Sequence, residues 1–462
     1  MKTVTKILIL ASLTGLLNIP GFSQEVDDTN NLKLSGNLLT DQRFLFEEPN
    51  DWVWNETRLT LEFDKKITDK STFYSEVWLR NFGLPAFTAS SQLYNTGNHE
   101  PFDIQLRQAY IKVNGFLSKN LDLKIGRQRI AWGKADKMNP SDNLNPYDFE
   151  DILDFGRHRA SDAVSLDYWF NSDFHLQGVY IPFYKPANLP VGIFSDILYQ
   201  QIEMPVGLTF KGMNDTLLMP RYNLAESSNA GLKFNGIVKG FDFSLSYVWG
   251  RDGLPSSAYN TIIPMDMTGG VTIKSKLMFS RTHIFGFDLA GNIKDVGVWA
   301  EVGAFLPEKE FVMTTDLSAL YPLSPVPVTV DSVMLKKELY VKFVIGADYH
   351  FANASYLNFQ YLHGFIHESG REKLNDYFFL NYDLKFFEEK LKIRPIGGGF
   401  IVSDWADVKN NYALVYVPEI SYMATEDTEI TISSAIFEGK GTNMFSGFSD
   451  TNMLMFKVKY SF

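Results

Sequence analysis

Apolar and polar side chains alternate along most of this chain, in runs about as long as a lipid bilayer is thick. In KELYVKFVIGADYHF, residues 337–351, Leu339, Val341, Phe343, Ile345, Ala347, Tyr349 and Phe351 share one face, while Lys342, Gly346, Asp348 and His350 share the other. SYLNFQYLHGF repeats the pattern with Leu357, Phe359, Tyr361 and Phe365 against Asn358, Gln360 and Gly364. YFFLNYDLKFF repeats it again, with Leu380, Tyr382, Leu384 and Phe386 against Asn381, Asp383 and Lys385. A period of two is that of a pleated strand. One greasy face and one wet face over about 9–11 residues suits a strand that crosses hydrocarbon with water behind it.

Eighteen segments carry this pattern: 32–46, 53–65, 72–82, 103–114, 121–133, 157–170, 174–182, 227–236, 240–250, 279–292, 295–306, 337–351, 355–367, 374–387, 391–402, 411–424, 428–438 and 451–462. The connections alternate in length. Even-numbered segments lead into tight turns such as ITDKS, NSD, NIKD, ANA, EEK and TED. Odd-numbered ones mostly lead into long excursions, at 83–102, 134–156, 183–226, 251–278 and 307–336. Short turns at one rim and long loops at the other predict an all-β fold. It is a single transmembrane antiparallel β-barrel over residues 32–462, of about 18 strands with 16 as the alternative count. The turns are expected in the periplasm and the loops outside the cell. Trp132, Trp169, Trp249 and Trp299 lie near strand ends, where aromatic girdles form.

The two ends fit the same picture. In MKTVTKILILASLTGLLNIPGFSQ, Lys2 and Lys6 precede an apolar stretch from Ile7 to Leu17, and Gly21-Phe22-Ser23 offers small residues for cleavage. This predicts a secretory signal peptide over residues 1–23 and a disordered stub over 24–31. The apolar run is too short to anchor the chain, and no other run is long enough for a membrane helix. At the other end Leu454, Phe456, Val458, Tyr460 and Phe462 share a face, which resembles the final strand of bacterial outer-membrane barrels. The resemblance implies that the barrel-assembly machinery reads Phe462.

Composition narrows the classes further. Aromatic residues make up 15% of a chain whose mean hydropathy is −0.12, too polar for helical spans and rich in girdle side chains. Cysteine is absent, which removes disulfides, thiolate metal sites and a lipid-modified N-terminal cysteine. The net charge of −11 offers no basic surface for nucleic acid. The expected location is a Gram-negative outer membrane, with its lipids and lipopolysaccharide as neighbours and a homo-trimer as a possible assembly.

The densest chemistry lies in GRQRIAWGKADKMNPSDNLNPYDFEDI, Gly126 to Ile152. Upstream, Leu121, Leu123 and Ile125 set the lipid phase, which strict alternation would extend to Arg127 and Arg129. Each arginine in mid-bilayer would cost about 2–4 kcal/mol. A bulge at Gly126 would flip the phase and turn both into the lumen. Segment 157–170 then adds Arg157 and Arg159 inside, with Val164, Leu166, Tyr168 and Phe170 outside. The connecting loop carries Asp136, Asp142, Asp148, Glu150, Asp151 and Asp154. Four cations on neighbouring strands need anions, and this loop can fold inward to supply them. The expected site is a pore constriction in which Arg127, Arg129, Arg157 and Arg159 face Asp142, Asp148, Glu150 and Asp151. The alternative is a closed ionic network that only staples the wall.

IGRQRIAWGKAD…NLNPYDFEDI, followed by DAVSLDYW and the proline-rich VYIPFYKPANLP, resembles DUF1302-type barrels, porin-like proteins distantly similar to alginate-export channels. The resemblance implies a transmembrane channel and names no cargo. It covers about 65 residues.

Other chemistry is weak, and no enzyme activity is predicted. Ser280 and His283 are near in sequence but fall on opposite strand faces. His99, His158, His175, His283, His350, His363 and His367 lack metal-ligand spacing, and Gly397-Gly398-Gly399 reads as a barrel bend. No catalytic residue, metal or cofactor is expected. The predicted role is passive passage of small hydrophilic or amphipathic solutes. A loop-plugged barrel serving as surface receptor or envelope scaffold is the alternative.

Overall fold

A computed structural model of the chain describes residues 32–46, 50–85, 87–99, 101–195, 204 and 207–462. The expected signal peptide and stub lie outside the described residues. The first strand, Leu32–Leu45, pairs antiparallel with Trp52–Thr68 on one side and with the last strand, Met453–Ser461, on the other. The ladder therefore closes on itself, and 18 staves make the barrel. Every stave falls on one of the alternating segments. A closed ladder leaves no unpaired sheet edge along most of its circumference, which is what hydrocarbon demands of backbone groups.

The two faces of the wall are inverted relative to a water-soluble sheet. Leu38, Leu245, Ile345, Phe359, Leu454 and Phe456 are exposed on the outside, whereas Asp288, Glu301, Ser244, Lys342 and Gln360 are buried inside. An apolar belt of this extent is stable only against lipid. The protein is an outer-membrane β-barrel. Among the described residues no helix is long and apolar enough to cross a membrane, so strands do the crossing.

Two staves are broken where the sequence breaks them. The fifteenth runs Leu391–Ile396 and then Gly398–Val402, and the sixteenth runs Tyr412–Tyr416 and then Glu419–Met423. Pro395 and Pro418 lack the N–H that a ladder needs. Gly398 holds φ +129°, and a Cβ there would sit 1.9 Å from the Val415 carbonyl oxygen. The glycine triplet is thus a bend where two backbones approach closely.

The long excursions are more ordered than their sequence suggests. Thr209–Leu217, Ser256–Pro264, Gly270–Met278, Phe311–Asp316 and Thr329–Leu335 form a second, five-stranded sheet. Ile262, Val271 and Ile273 give it a small core of its own. Two of its pairings are parallel and join segments far apart in sequence, so no local alternation announces it.

Candidate functional site: the lumen and its inward loop

The phase flip expected at Gly126 does not occur. The fifth stave, Leu121–Gln128, keeps one register with the sixth, Ser161–Trp169, from Leu121↔Tyr168 to Gln128↔Ser161. Arg127 therefore shares the outward face of Leu123 and Ile125. It is tolerated there because its guanidinium meets Asp162 at 3.0 Å and the Leu106 carbonyl at 3.3 Å. The bulge lies one stave earlier. In Phe102–Val113, Gln108 pairs with Glu76 and Leu106 with Val77, which leaves Arg107 as the extra residue. That residue turns inward, with its guanidinium 4.0 Å from the Trp78 ring centroid. Arg157 and Arg159 precede the sixth stave and belong to the loop. Arg159 is exposed and donates to the Asn188 amide oxygen at 2.7 Å.

From Arg129 to Ala160 the chain leaves the wall and crosses the lumen. On one side its acids meet arginines of the first four staves. Asp151 accepts from Arg43 at 2.8 Å, Glu150 from Arg80 at 2.8 and 3.0 Å, and Asp148 from Arg107 at 3.0 Å. Arg157, carried by the loop itself, adds contacts of 3.2 Å to Asp148 and 3.3 Å to Glu150. Asp142 pairs with Arg129, again within the loop. Each wall arginine also lies over an aromatic ring: Arg43 on Trp54, Arg80 on Phe82, Arg107 on Trp78. Of the four expected arginines, Arg129 and Arg157 join the acids, while Arg127 and Arg159 do not. Arg43, Arg80 and Arg107 were not expected from the sequence, although the inward phase of the first and third staves could have pointed to the first two.

The far end of the crossing is pinned by one carboxylate. Glu301, fully buried on the eleventh stave, Val296–Pro307, accepts from the backbone N–H of Lys134, Ala135 and Ser141 at 2.9, 3.2 and 2.8 Å. The Ser141 hydroxyl and the Asn139 amide complete its shell at 2.8 and 3.1 Å. Loop backbone donors that would otherwise be orphaned are satisfied by a group from across the barrel. Trp132 anchors the near end, donating to Gln177 at 2.7 Å and packing where a Cβ on Gly231 would stand 2.7 Å from its ring.

The loop divides the lumen. Outside it lies a vestibule of about 460 Å³ lined by Tyr184, Arg251, Tyr340 and Glu368 among others. Inside it lies a chamber of about 750 Å³ with Arg58, Asp136, Arg394, Glu419 and Lys457 on its wall. A smaller cavity of about 30 Å³ shares Tyr147, Lys342 and Ile366 with the vestibule and Met138 with the chamber. Beside it, Met138, Ile152 and Phe155 pack with Phe365, Tyr377, Phe445 and Phe448 in an apolar cluster.

Two acids of the loop, Asp148 and Asp151, stay ionised well into acid. Burial would raise the Asp148 carboxyl, but Arg157, Arg107 and the Asn188 amide outweigh it and hold it below its ordinary 3.8. Burial acts on Asp151 likewise, and Arg43 with Lys457 behind it pulls that carboxyl well below the usual range. A depressed native pKa adds stability that is complete above the unfolded value and fades as pH falls through the native one. The loop should stay protected from an acid-active protease at pH 3.8 and become cleavable only as pH drops further. Cleavage that begins at higher pH would show that these pairs do not hold it.

Ser280 and His283 do not meet: Ser280 donates to Asp252, and His283 contacts the Tyr247 hydroxyl at 2.8 Å. Among the described residues no cluster of His, Asp and Glu is arranged to hold a metal.

The fold and site together define a transmembrane barrel whose lumen is narrowed by a loop of its own wall. Structures with similar outlines include OmpF of Salmonella typhi in complex with daunomycin, at 10% identity and a TM-score of 0.41 over 95% of this chain and 99% of that one. OmpT, an outer-membrane protein of Vibrio cholerae, aligns at 11% and 0.42 over 95% and 100%. A mutant of the Rh. blastica porin aligns at 12% and 0.39 over 93% and 100%. At these scores the likeness adds nothing to the closed ladder itself. No family model matches the chain, so the resemblance to DUF1302-type barrels stands on its residues alone. No curated protein matches it either.

Proposed function

We propose that the protein is a channel for passive passage of small hydrophilic or amphipathic solutes, with the inward loop as its constriction. The observation that carries this reading is the pair of cavities, about 460 and 750 Å³, on either side of the loop, with a smaller cavity of about 30 Å³ that shares lining residues with both. A space of that volume holds one or two waters, and a constriction on that scale favours small cargo over polymers. Both chambers carry charged side chains of both signs, so solutes are screened by charge as well as size. In this reading Arg129, Arg157, Asp142, Asp148, Glu150 and Asp151 shape the constriction together with Arg43, Arg80 and Arg107.

A second reading, a plugged barrel acting as receptor or scaffold, is favoured by the apolar cluster of Met138, Phe365, Phe445 and Phe448 inside the lumen. Planar-bilayer recording of the purified barrel separates the two. Discrete, ion-permeable steps are expected; a sealed bilayer with correctly folded, heat-modifiable protein would establish the plugged form. Trimerisation is part of the same proposal, and cross-linking in native membranes tests it.

A further inference from the structure

The wall is incomplete beside the fourth stave, Phe102–Val113. The fifth stave pairs with the fourth only from Val113↔Leu123 to Ala109↔Arg127. Above that rung, Phe102 to Leu106 has ladder partners in the third stave, Ser71–Phe82, and none on the other side among the described residues. The cause lies in the chain itself. The fifth and sixth staves have only 8 and 9 residues, because the residues that would finish them turn inward as the loop. The greasy outer surface nevertheless continues upward: Leu106, Ile104 and Phe102 are exposed, the last two by more than 60%. An unpaired edge thus stands at the height of an apolar belt, a position membrane barrels normally close.

A cavity of about 390 Å³ fills the notch, lined by every residue from Asp103 to Arg107 and by Arg127, Arg159, Ala160 and Lys185. Successive strand residues point to opposite faces, so this cavity touches both sides of the wall. Ile104 and Leu106 belong to the lipid side; Gln105 and Arg107 belong to the lumen side. Its charges are mostly positive. Arg127 and Lys185 share Asp162 at 3.0 and 2.6 Å, and Arg107 is matched by Asp148. Arg159 forms no ion pair among the described residues. One lining carboxylate, Asp103, already accepts from the Gln105 amide at 2.5 Å.

We infer that this notch is a lateral window that binds a single-chain amphiphile with a carboxylate headgroup. The tail lies in the membrane against Phe102, Ile104 and Leu106. The headgroup meets Arg159 and Lys185, with Arg127 beside them on the outer face and Arg107 on the lumen side. The apolar approach and the cationic mouth select for that combination, since a neutral tail gains nothing from the arginines and a small anion gains nothing from the belt. The inference goes beyond passage through the pore and does not require conduction, because its readout is binding.

The test uses the full barrel in nonionic micelles with fluorescent dodecanoate as the probe and the matching dodecanol as control. Arg159→Gln with Lys185→Gln should weaken dodecanoate binding about tenfold or more, the scale of one lost charge-assisted hydrogen bond, and leave dodecanol unchanged. Equal dodecanoate binding by wild type and variant would overturn the window. So would a wild type that binds lipopolysaccharide through these cations but not dodecanoate. A photoreactive dodecanoate applied to the unaltered protein gives a reading free of folding effects. Label on the peptide containing Phe102 to Arg107 is expected, and label only elsewhere would overturn the inference.

Discussion

Replacing Glu301 with alanine should open the lumen. Five donors of the loop converge on this carboxylate, and three of them are backbone N–H groups with no other acceptor nearby among the described contacts. Hydrogen bonds to a charged acceptor contribute about 1.5–3 kcal/mol each where geometry is good. The far end of the loop should therefore detach, since no local secondary structure holds residues 134–141 in place. Single-channel conductance of Glu301→Ala is expected to rise several-fold, with new protease cleavage between Lys134 and Ser141. Glu301→Gln, which keeps one acceptor oxygen but loses the charge and turns the other oxygen into a donor, should fall between wild type and alanine. Unchanged conductance in a folded Glu301→Ala barrel would mean that the loop does not limit passage.

The second large effect concerns Asp148, Glu150 and Asp151. These acids neutralise Arg43, Arg80, Arg107 and Arg157, which the barrel otherwise buries or half-buries. A triple variant, Asp148→Asn with Glu150→Gln and Asp151→Asn, keeps the shape of each side chain and removes its charge. All three change together because Arg157 touches both Asp148 and Glu150, and after a single change would keep the other beside Asp154. Arg107 then loses its ion-pair partner, while Arg43, Arg80 and Arg157 retain only Asp41, Glu56 and Asp154, and reversal potentials across a salt gradient should shift towards anions. Thermal stability should drop as well, because breaking a buried pair typically costs about 3–5 kcal/mol. Arg127→Ala, on the outer face, should leave the reversal potential as it is. A triple variant with lowered stability, intact conductance and an unchanged reversal potential would reduce the network to a staple of the wall.

The residues that were legible in the sequence are those whose role is set by lipid. Leu339, Val341, Phe343 and Ile345 declare a strand and its face because hydrocarbon imposes a period of two on every stave. Glycine and proline at 395–399 declare a break for equally local reasons. The sign and length of the acidic loop were legible too. Its partners were not. Arg127 and Arg107 differ in face through a bulge at Arg107, and a bulge is a property of two paired strands that one strand's pattern does not reveal. Glu301 lies 160 residues from Ser141, and nothing near either residue marks the other.

Alternation along the chain by itself determined the barrel, a count of about 18 staves and the sorting of short turns from long loops, because each of these follows from local contact with lipid or water. Closure of the first strand on the last, the assignment of acids to Arg43, Arg80 and Arg107, the pinning by Glu301 and the notch beside Phe102 were decided only by tertiary structure. Lipid acts on one residue at a time, whereas ion pairs and gaps in a wall depend on which distant strands the closed ladder makes neighbours.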